Sequence, residues 1–434
     1  MRWRLGLLAI PLWGQVLPDS VPAYVLPSVT IQDSLAGRQE ARSVSEGLPE
    51  KLPFARMVYR SVPFAQEVVY QGFLPQQVQL TVGGMRIHPA CVDRMDPVLT
   101  FVEPAEVETV QEAPWRSWGA GPLLEVGLFS PEGPTGGQAS LLAADNYHRL
   151  FASVRHRGGK GRLRWASAGT FRLGGPYRTG RQPTPGLPLP TQTPWYDTTL
   201  SLSPFRKLNL YTALSYALSP NHTLELLYLG DAFYDVAYPA LIMDARHSAM
   251  HLVSLRHRWG RFSDFRLYAN TVFHDMTDEK RPLSEIQHRI VMPGMYMPMR
   301  GLTRVVGMVW EGRLLAQSAL ELRPRLEGTW NQAWGSMDMY LVGGGTPMRL
   351  LNLADIRFLQ GAAGLQAHYA REKIAFQTEA TLTHFAYWVA DTTHFLPLEL
   401  YQRTYAGGAN PTRTFTLYQV GASLQVSHSL GTFS

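Results

Sequence analysis

The chain has 434 residues, a formal net charge of +6, 45% apolar and 11% aromatic residues, and one cysteine. The basic residues are spread without a dense run, which argues against a nucleic-acid partner and fits an anionic membrane surface. One cysteine excludes an internal disulfide. The lack of an uninterrupted run of about 18 apolar residues excludes a membrane-spanning helix.

The N-terminus reads as an export signal over residues 1–23. Arg2 and Arg4 form the charged start, Leu5 to Trp13 an apolar stretch too short to cross a bilayer, and Val21-Pro22-Ala23 a cleavage site. An exported chain with many aromatics and no apolar helix fits the bacterial outer membrane. Within 24–35, Ser28-Val29-Thr30-Ile31-Gln32 is an extended, β-branched segment. Such a segment is suited to adding a strand to a partner's sheet.

Residues 36–118 read as a small mixed α/β domain. Its short apolar strand, Val78 to Val82, ends in Gly83-Gly84, a turn signal. Further on, Cys91-Val92-Asp93-Arg94-Met95 places a thiol and a thioether four residues apart. They meet on one helical turn or in a tight loop, and Pro97 would end either. Both sulfurs are soft ligands that favour Cu(I) over hard cations. A free cysteine is also often a small buried hydrophobe, so this spacing by itself is a weak signal. His88 reads as a turn histidine.

Residues 119–434 alternate. From Leu208 to Leu218 large residues hold nearly every even position, and Thr223 to Leu229 repeats the pattern. Leu252–His257, Asp264–Phe273, Phe376–Leu382 and Ala422–Val426 are further candidates. Period two with one apolar face means strands that are apolar outside and wet inside. Separated by Gly, Pro, Asn or Asp, they form the signature of a membrane barrel; the alternative is a large soluble β-protein. Tyr211, Tyr216, Tyr228, Tyr268, Trp259 and Trp310 are assigned to interfacial girdles.

In the segment before residue 277, Phe265, Leu267, Ala269, Thr271 and Phe273 share one parity. Arg266, Tyr268, Asn270, His274 and Met276 share the other, which points the last two inward. Met292, Met295, Met297 and Met299 then crowd a stretch broken by prolines and a glycine. They read as an external loop that recruits copper, or as ordinary gap-filling methionines. No triad, phosphate loop, zinc-protease motif or carboxylate pair stands out, so no enzyme is expected.

Gly84-Met85-Arg86-Ile87-His88-Pro89-Ala90-Cys91-Val92-Asp93-Arg94-Met95-Asp96-Pro97 resembles the plug motif of TonB-dependent copper receptors. Val102-Glu103-Pro104 resembles the stretch that follows it. Asp235-Val236 with Tyr238-Pro239-Ala240-Leu241-Ile242-Met243-Asp244, and Tyr268 to Met276 ending in His-Asp-Met, resemble barrel segments of the same family in the same order. The resemblance implies an all-β transmembrane barrel of about 22 antiparallel strands over 119–434, filled by an N-terminal plug. It implies copper held by Cys91 and Met95 of the plug and His274 and Met276 of the barrel. It also implies a TonB box at Ser28, Val29, Thr30, Ile31 and Gln32, with the TonB complex, outer-membrane lipids and a copper ion or copper carrier as partners. One thiolate, two thioethers and one imidazole favour Cu(I), with Cu(II) conceivable, over zinc. The barrel portion is short for such a family, which leaves little chain for loops. The alternatives are a receptor for an iron-siderophore or haem, and a passive or structural barrel.

Overall fold

The computed structural model describes residues 43–426 apart from 45–46, 53, 60–63, 65, 114–120, 145–148, 176–204, 239–240, 261–262, 290–291, 317–319, 372–373 and 391–411. The expected signal peptide and the segment 28–32 lie outside the described residues.

The N-terminal part begins with a one-turn helix α1 (Leu48–Lys51) and a hairpin of β1 (Ala55–Tyr59) and β2 (Gln66–Tyr70). A mixed three-stranded sheet follows. Its strand β3 (Gln79–Val82) runs parallel to β5 (Leu123–Leu128), which pairs antiparallel with β4 (Val107–Glu112). Strand β3 ends in Gly83 and Gly84, whose φ values of +57° and +77° close a turn that residues with a Cβ resist. Strand β5, which lies after the expected boundary at 118, pairs within this sheet. A six-residue strand is too short to reveal from its own sequence which sheet it joins.

The remaining strands form one antiparallel meander. In chain order they are β6 (Gly136–Ala144), β7 (Arg149–Lys160), β8 (Leu163–Gly174), β9 (Phe205–Ser219), β10 (His222–Val236), β11 (Asp244–Trp259) and β12 (Ser263–Thr277). After helix α2 (Leu283–His288) and the short β13 (Met295–Tyr296) come β14 (Met299–Gly312), β15 (Leu315–Ala316), β16 (Leu320–Leu341), β17 (Met348–Arg371), β18 (Ile374–Val389) and β19 (Thr412–Val426). Strands β13 and β15 attach to β16. The expected count of about 22 is not reached among the described residues. Strands β16 and β17, at 22 and 24 residues, are longer than the ten residues assumed.

The sheet has two chemically different faces. On β9, Leu208, Leu210, Leu214, Tyr216 and Leu218 are exposed, while Lys207, Asn209, Tyr211, Ala213 and Ser215 between them are buried. Leu224, Leu226, Val253, Leu255, Leu267, Val306 and Met308 continue the exposed apolar surface on neighbouring strands. Polar residues inside and apolar residues outside invert the pattern of a soluble sheet and match a lipid-facing wall. Of the expected girdle residues, Tyr216, Tyr228 and Trp259 are exposed, but Tyr211 and Tyr268 are buried on the inner face. Tyr211 donates its hydroxyl hydrogen to the Phe129 carbonyl at 2.6 Å instead. Residue type marked these tyrosines, and parity within the strand overrode it.

The small domain lies on the inner face, joined to it by buried charge. Glu103 accepts from Arg172 at 3.0 and 2.7 Å and pairs with Lys207 at 2.8 Å. Lys207 also pairs with Asp231. Burial opposes ionisation of Glu103, but the Arg172 and Lys207 cations overcome it and hold the carboxyl at about 2. Arg86 reaches Glu327 of β16 at 3.1 Å. Buried charges persist only when paired in this way.

Candidate metal centre

The segment after β3 follows the inner wall, where Asn270 and Thr303 bond its carbonyls, and turns at Cys91. The Arg94 N–H donates to the Cys91 carbonyl at 3.2 Å, and Arg94 takes a left-handed φ of +59°. Of the two local geometries the spacing allowed, the tight loop is the one observed. Asp96 clamps the loop by accepting from the N–H groups of Ala90 at 3.0 Å and Cys91 at 3.1 Å. Burial pushes Asp96 up to about 7 against these donors. The Met95 carbonyl accepts from the Tyr238 hydroxyl at 2.6 Å. Tyr238 is held in turn: its N–H donates to Asp244 at 2.8 Å, and Arg281 donates to its carbonyl at 3.1 Å and to Asp244 at 2.8 Å.

From the wall, β12 places His274 and Met276 on the buried face, both with 0% exposure. They sit near the end of β12 that leads into the connection 278–298, whereas β9 and β10 meet at the opposite end through Pro220 and Asn221. The Cys91 Sγ donates to the Met276 Sδ at 3.2 Å across 185 residues of sequence. Sulfurs bound to one tetrahedral ion with ~2.3 Å bonds stand about 3.8 Å apart, so a small opening of this contact admits a cation. Neither His274 nitrogen has a hydrogen-bond partner among the described residues; its Nδ1 stands 3.8 Å from Asp96. A fully buried imidazole without hydrogen-bond partners is unusual and leaves the lone pair of its unprotonated nitrogen for a ligand. Met95 is buried in the same apolar cluster as Cys91 and Met276. The close approach of loop and wall needs Gly301 on β14, where a Cβ would come 2.1 Å from the Ala90 carbonyl oxygen.

Burial, with the Asp96 carboxylate nearby, pushes the Cys91 thiol well above its usual range. Without a cation it stays protonated, and a soft cation must displace that proton to bind. Among the described residues no three His, Cys, Asp or Glu side chains converge as a metal cluster. The other donors beside Cys91 and His274 are thioethers.

The expected methionine loop divides. Met292 is exposed and Met295 partly so, but Met297 and Met299 are buried at 2% and 1%. Met299 is the direct β14 partner of Met276, and it accepts from Asn352 at 2.9 Å. The connection holding Met292 to Met297 is ordered by the Arg289–Asp278 ion pair at 2.8 Å, so it is not a loose arm. Sequence reasoning did not assign Asp96, Tyr238 or Gly301 a role. The Asp96-Pro97 pair was the available sign of the first; Gly301 showed none.

No family model and no curated protein matches this sequence. Solved structures do. Copper transporter OprC aligns over 90% of this chain and 58% of its own, with a TM-score of 0.70 and 15% identity. The ferric citrate transporter FecA in unliganded form covers 90% and 58%, at TM-score 0.58 and 11% identity. The FrpB iron transporter from Neisseria meningitidis covers 89% and 58%, at TM-score 0.58 and 11% identity. The chain therefore spans 58% of the length of each of these proteins. The matched proteins are transporters and not enzymes, and the fold is that of TonB-dependent receptors of the bacterial outer membrane.

Proposed function

We propose that the protein is a TonB-dependent receptor that imports copper, favouring Cu(I), with the small domain acting as a plug inside the barrel. The observation that carries this reading is the buried Cys91–Met276 sulfur contact beside the unpartnered His274. A thiol, two thioethers and an imidazole form a donor set for a soft cation. A receptor for an iron carrier or haem shares the fold but has no use for two sulfurs meeting between plug and wall.

Cys91 and Met95 belong to one body and His274 and Met276 to the other. A pull on the plug by the TonB complex, through Ser28 to Gln32, separates the two pairs and releases the ion. Proton return to Cys91 then favours the empty state. Met292 and Met295, at the outer end of the connection, collect copper, and Met297 and Met299 bring thioethers towards Met276. The test is copper per protein by elemental analysis after one purification, wild type beside Cys91→Ala. Loss of copper in Cys91→Ala supports the site. Full copper there, with loss in a variant lacking Met292, Met295, Met297 and Met299, moves the binding site to the methionine segment.

A further inference from the structure

We propose that His88 is a second, transient ligand that receives the cation as it leaves the Cys91–Met276 contact. The proposal rests on the copper-import reading and extends it to the route of exit.

The segment from Gly84 to Cys91 lies along β12 and β14. Gly84 lies beside the Arg266 guanidinium, its virtual Cβ 3.3 Å from Nη1. The Arg86 carbonyl accepts from the Asn270 side chain at 2.7 Å, and the His88 carbonyl accepts from the Thr303 hydroxyl at 2.5 Å. Ala90 is pressed against Gly301. This seam starts at the candidate metal centre. It ends at a cavity of about 220 Å³ whose lining includes Gly84, Glu125, Glu225, Asp264, Arg266 and Glu311. Asp264 and Arg266 stand near the start of β12, whereas His274 and Met276 stand near its end. The cavity thus lies towards the tight-turn side; Arg256 and Arg325 also line it and pair with Asp264, Glu225 and Glu311, so its carboxylates are largely balanced by cations.

His88 stands between the two. The sequence suggested a turn histidine, but His88 lies outside the turns on either side of it and is partly buried. Its Nε2 has no hydrogen-bond partner among the described residues, and neither has the Oδ1 of Asn270. Buried polar atoms are almost always paired, so an unpaired imidazole nitrogen beside this seam calls for a ligand. Burial, reinforced by the Arg86 charge, lowers the ring to about 4, which leaves it neutral with a lone pair to offer. Two residues separate His88 from Cys91, so their Cα atoms lie within about 11 Å of each other. A single imidazole holds a soft cation less firmly than a thiolate with thioethers, so it accepts the ion without trapping it. The transfer is ligand exchange: the metal–sulfur bonds break, a metal–nitrogen bond forms, Cys91 takes a proton from water, and the oxidation state is unchanged.

The experiment compares His88→Gln, His88→Met and His88→Leu with wild type, each checked for heat-modifiable gel mobility. Bound copper is measured on purified protein, and copper uptake on cells. All three variants are expected to keep wild-type bound copper. Uptake should fall about tenfold in His88→Gln and His88→Leu, the effect of ~1.4 kcal/mol on a barrier, and recover in His88→Met, which restores a soft ligand. Wild-type uptake by His88→Gln overturns the proposal. So does a His88→Met no better than His88→Leu, because a packing role does not distinguish a thioether from an alkyl chain. Loss of bound copper in His88→Gln also overturns it, by placing His88 in the first site. A wild type that binds no copper removes the import reading itself, an outcome separate from any difference among the variants.

Discussion

Cys91 combines the strongest donor with the highest cost of ionisation. Its thiol is held protonated by burial and by Asp96, and its first partner is another sulfur. Cys91→Ala should therefore weaken copper binding by about a hundredfold or more, or ~2.7 kcal/mol at tenfold per 1.4 kcal/mol. Met95→Ala and Met276→Ala should each cost about tenfold, and His274→Ala an intermediate amount. Isothermal titration against a competing chelator measures all four. The pH dependence has a defined sign. Because the thiol proton leaves when the cation enters, apparent affinity should fall about tenfold for each unit of acidification below neutrality. Affinity that does not vary between pH 7 and 6 would mean that the thiol stays protonated in the complex. Asp96 is the residue to examine beside it. Asp96→Ala removes the acceptor of two buried N–H groups and should loosen the loop as well as the site.

At the level of elements, two contacts decide whether the small domain and the wall meet. The first is Gly301, where any Cβ collides with the Ala90 carbonyl. Gly301→Val should push the Cys91 loop off β14 and abolish copper binding, although the valine itself suits a strand. Copper retained by a folded Gly301→Val protein would refute the close approach. The second is the Glu103 cluster. Glu103→Ala leaves Arg172 and Lys207 with too little negative charge in a buried site, and breaking such a pair costs about 3–5 kcal/mol. Proteolysis of the small domain should then become faster. Since Glu103 is depressed to about 2, its contribution is present above the ordinary carboxylate range near 4.5 and is lost as pH falls towards 2. Docking of the small domain should not weaken between pH 7 and 5.

For the whole molecule, the continuous exposed apolar band is the governing fact. A surface of leucine, valine and aromatic side chains on this scale is stable only against lipid. The protein should fractionate with the outer membrane and change gel mobility on boiling; recovery in the soluble periplasm would refute the membrane reading. On the proposed import reading, deleting residues 28–32 should stop copper uptake and leave copper binding intact, because that reading assigns the segment to the energy-coupling partner and not to the ion. Undiminished uptake would place the coupling segment elsewhere.

Much of this was legible along the chain. Strand alternation is a local property with period two, so Leu208 to Leu218 and the inward parity of His274 and Met276 could be read without a structure. The Cys91–Met95 pair was legible because both sulfurs lie on one short loop. The juxtaposition of Cys91 with Met276 was expected from resemblance alone, since nothing local links residues 185 apart. The same limit hid Gly301, whose need for a bare Cα comes from a carbonyl more than 200 residues away, and the unpartnered nitrogen of His88. It also misplaced Tyr211 and Tyr268, whose residue type pointed to a lipid interface while their strand parity faced the interior. Composition and periodicity specify which side of a strand is apolar; which side chains face each other across the interior depends on how the strands pair and where the small domain docks, and those are long-range packing choices.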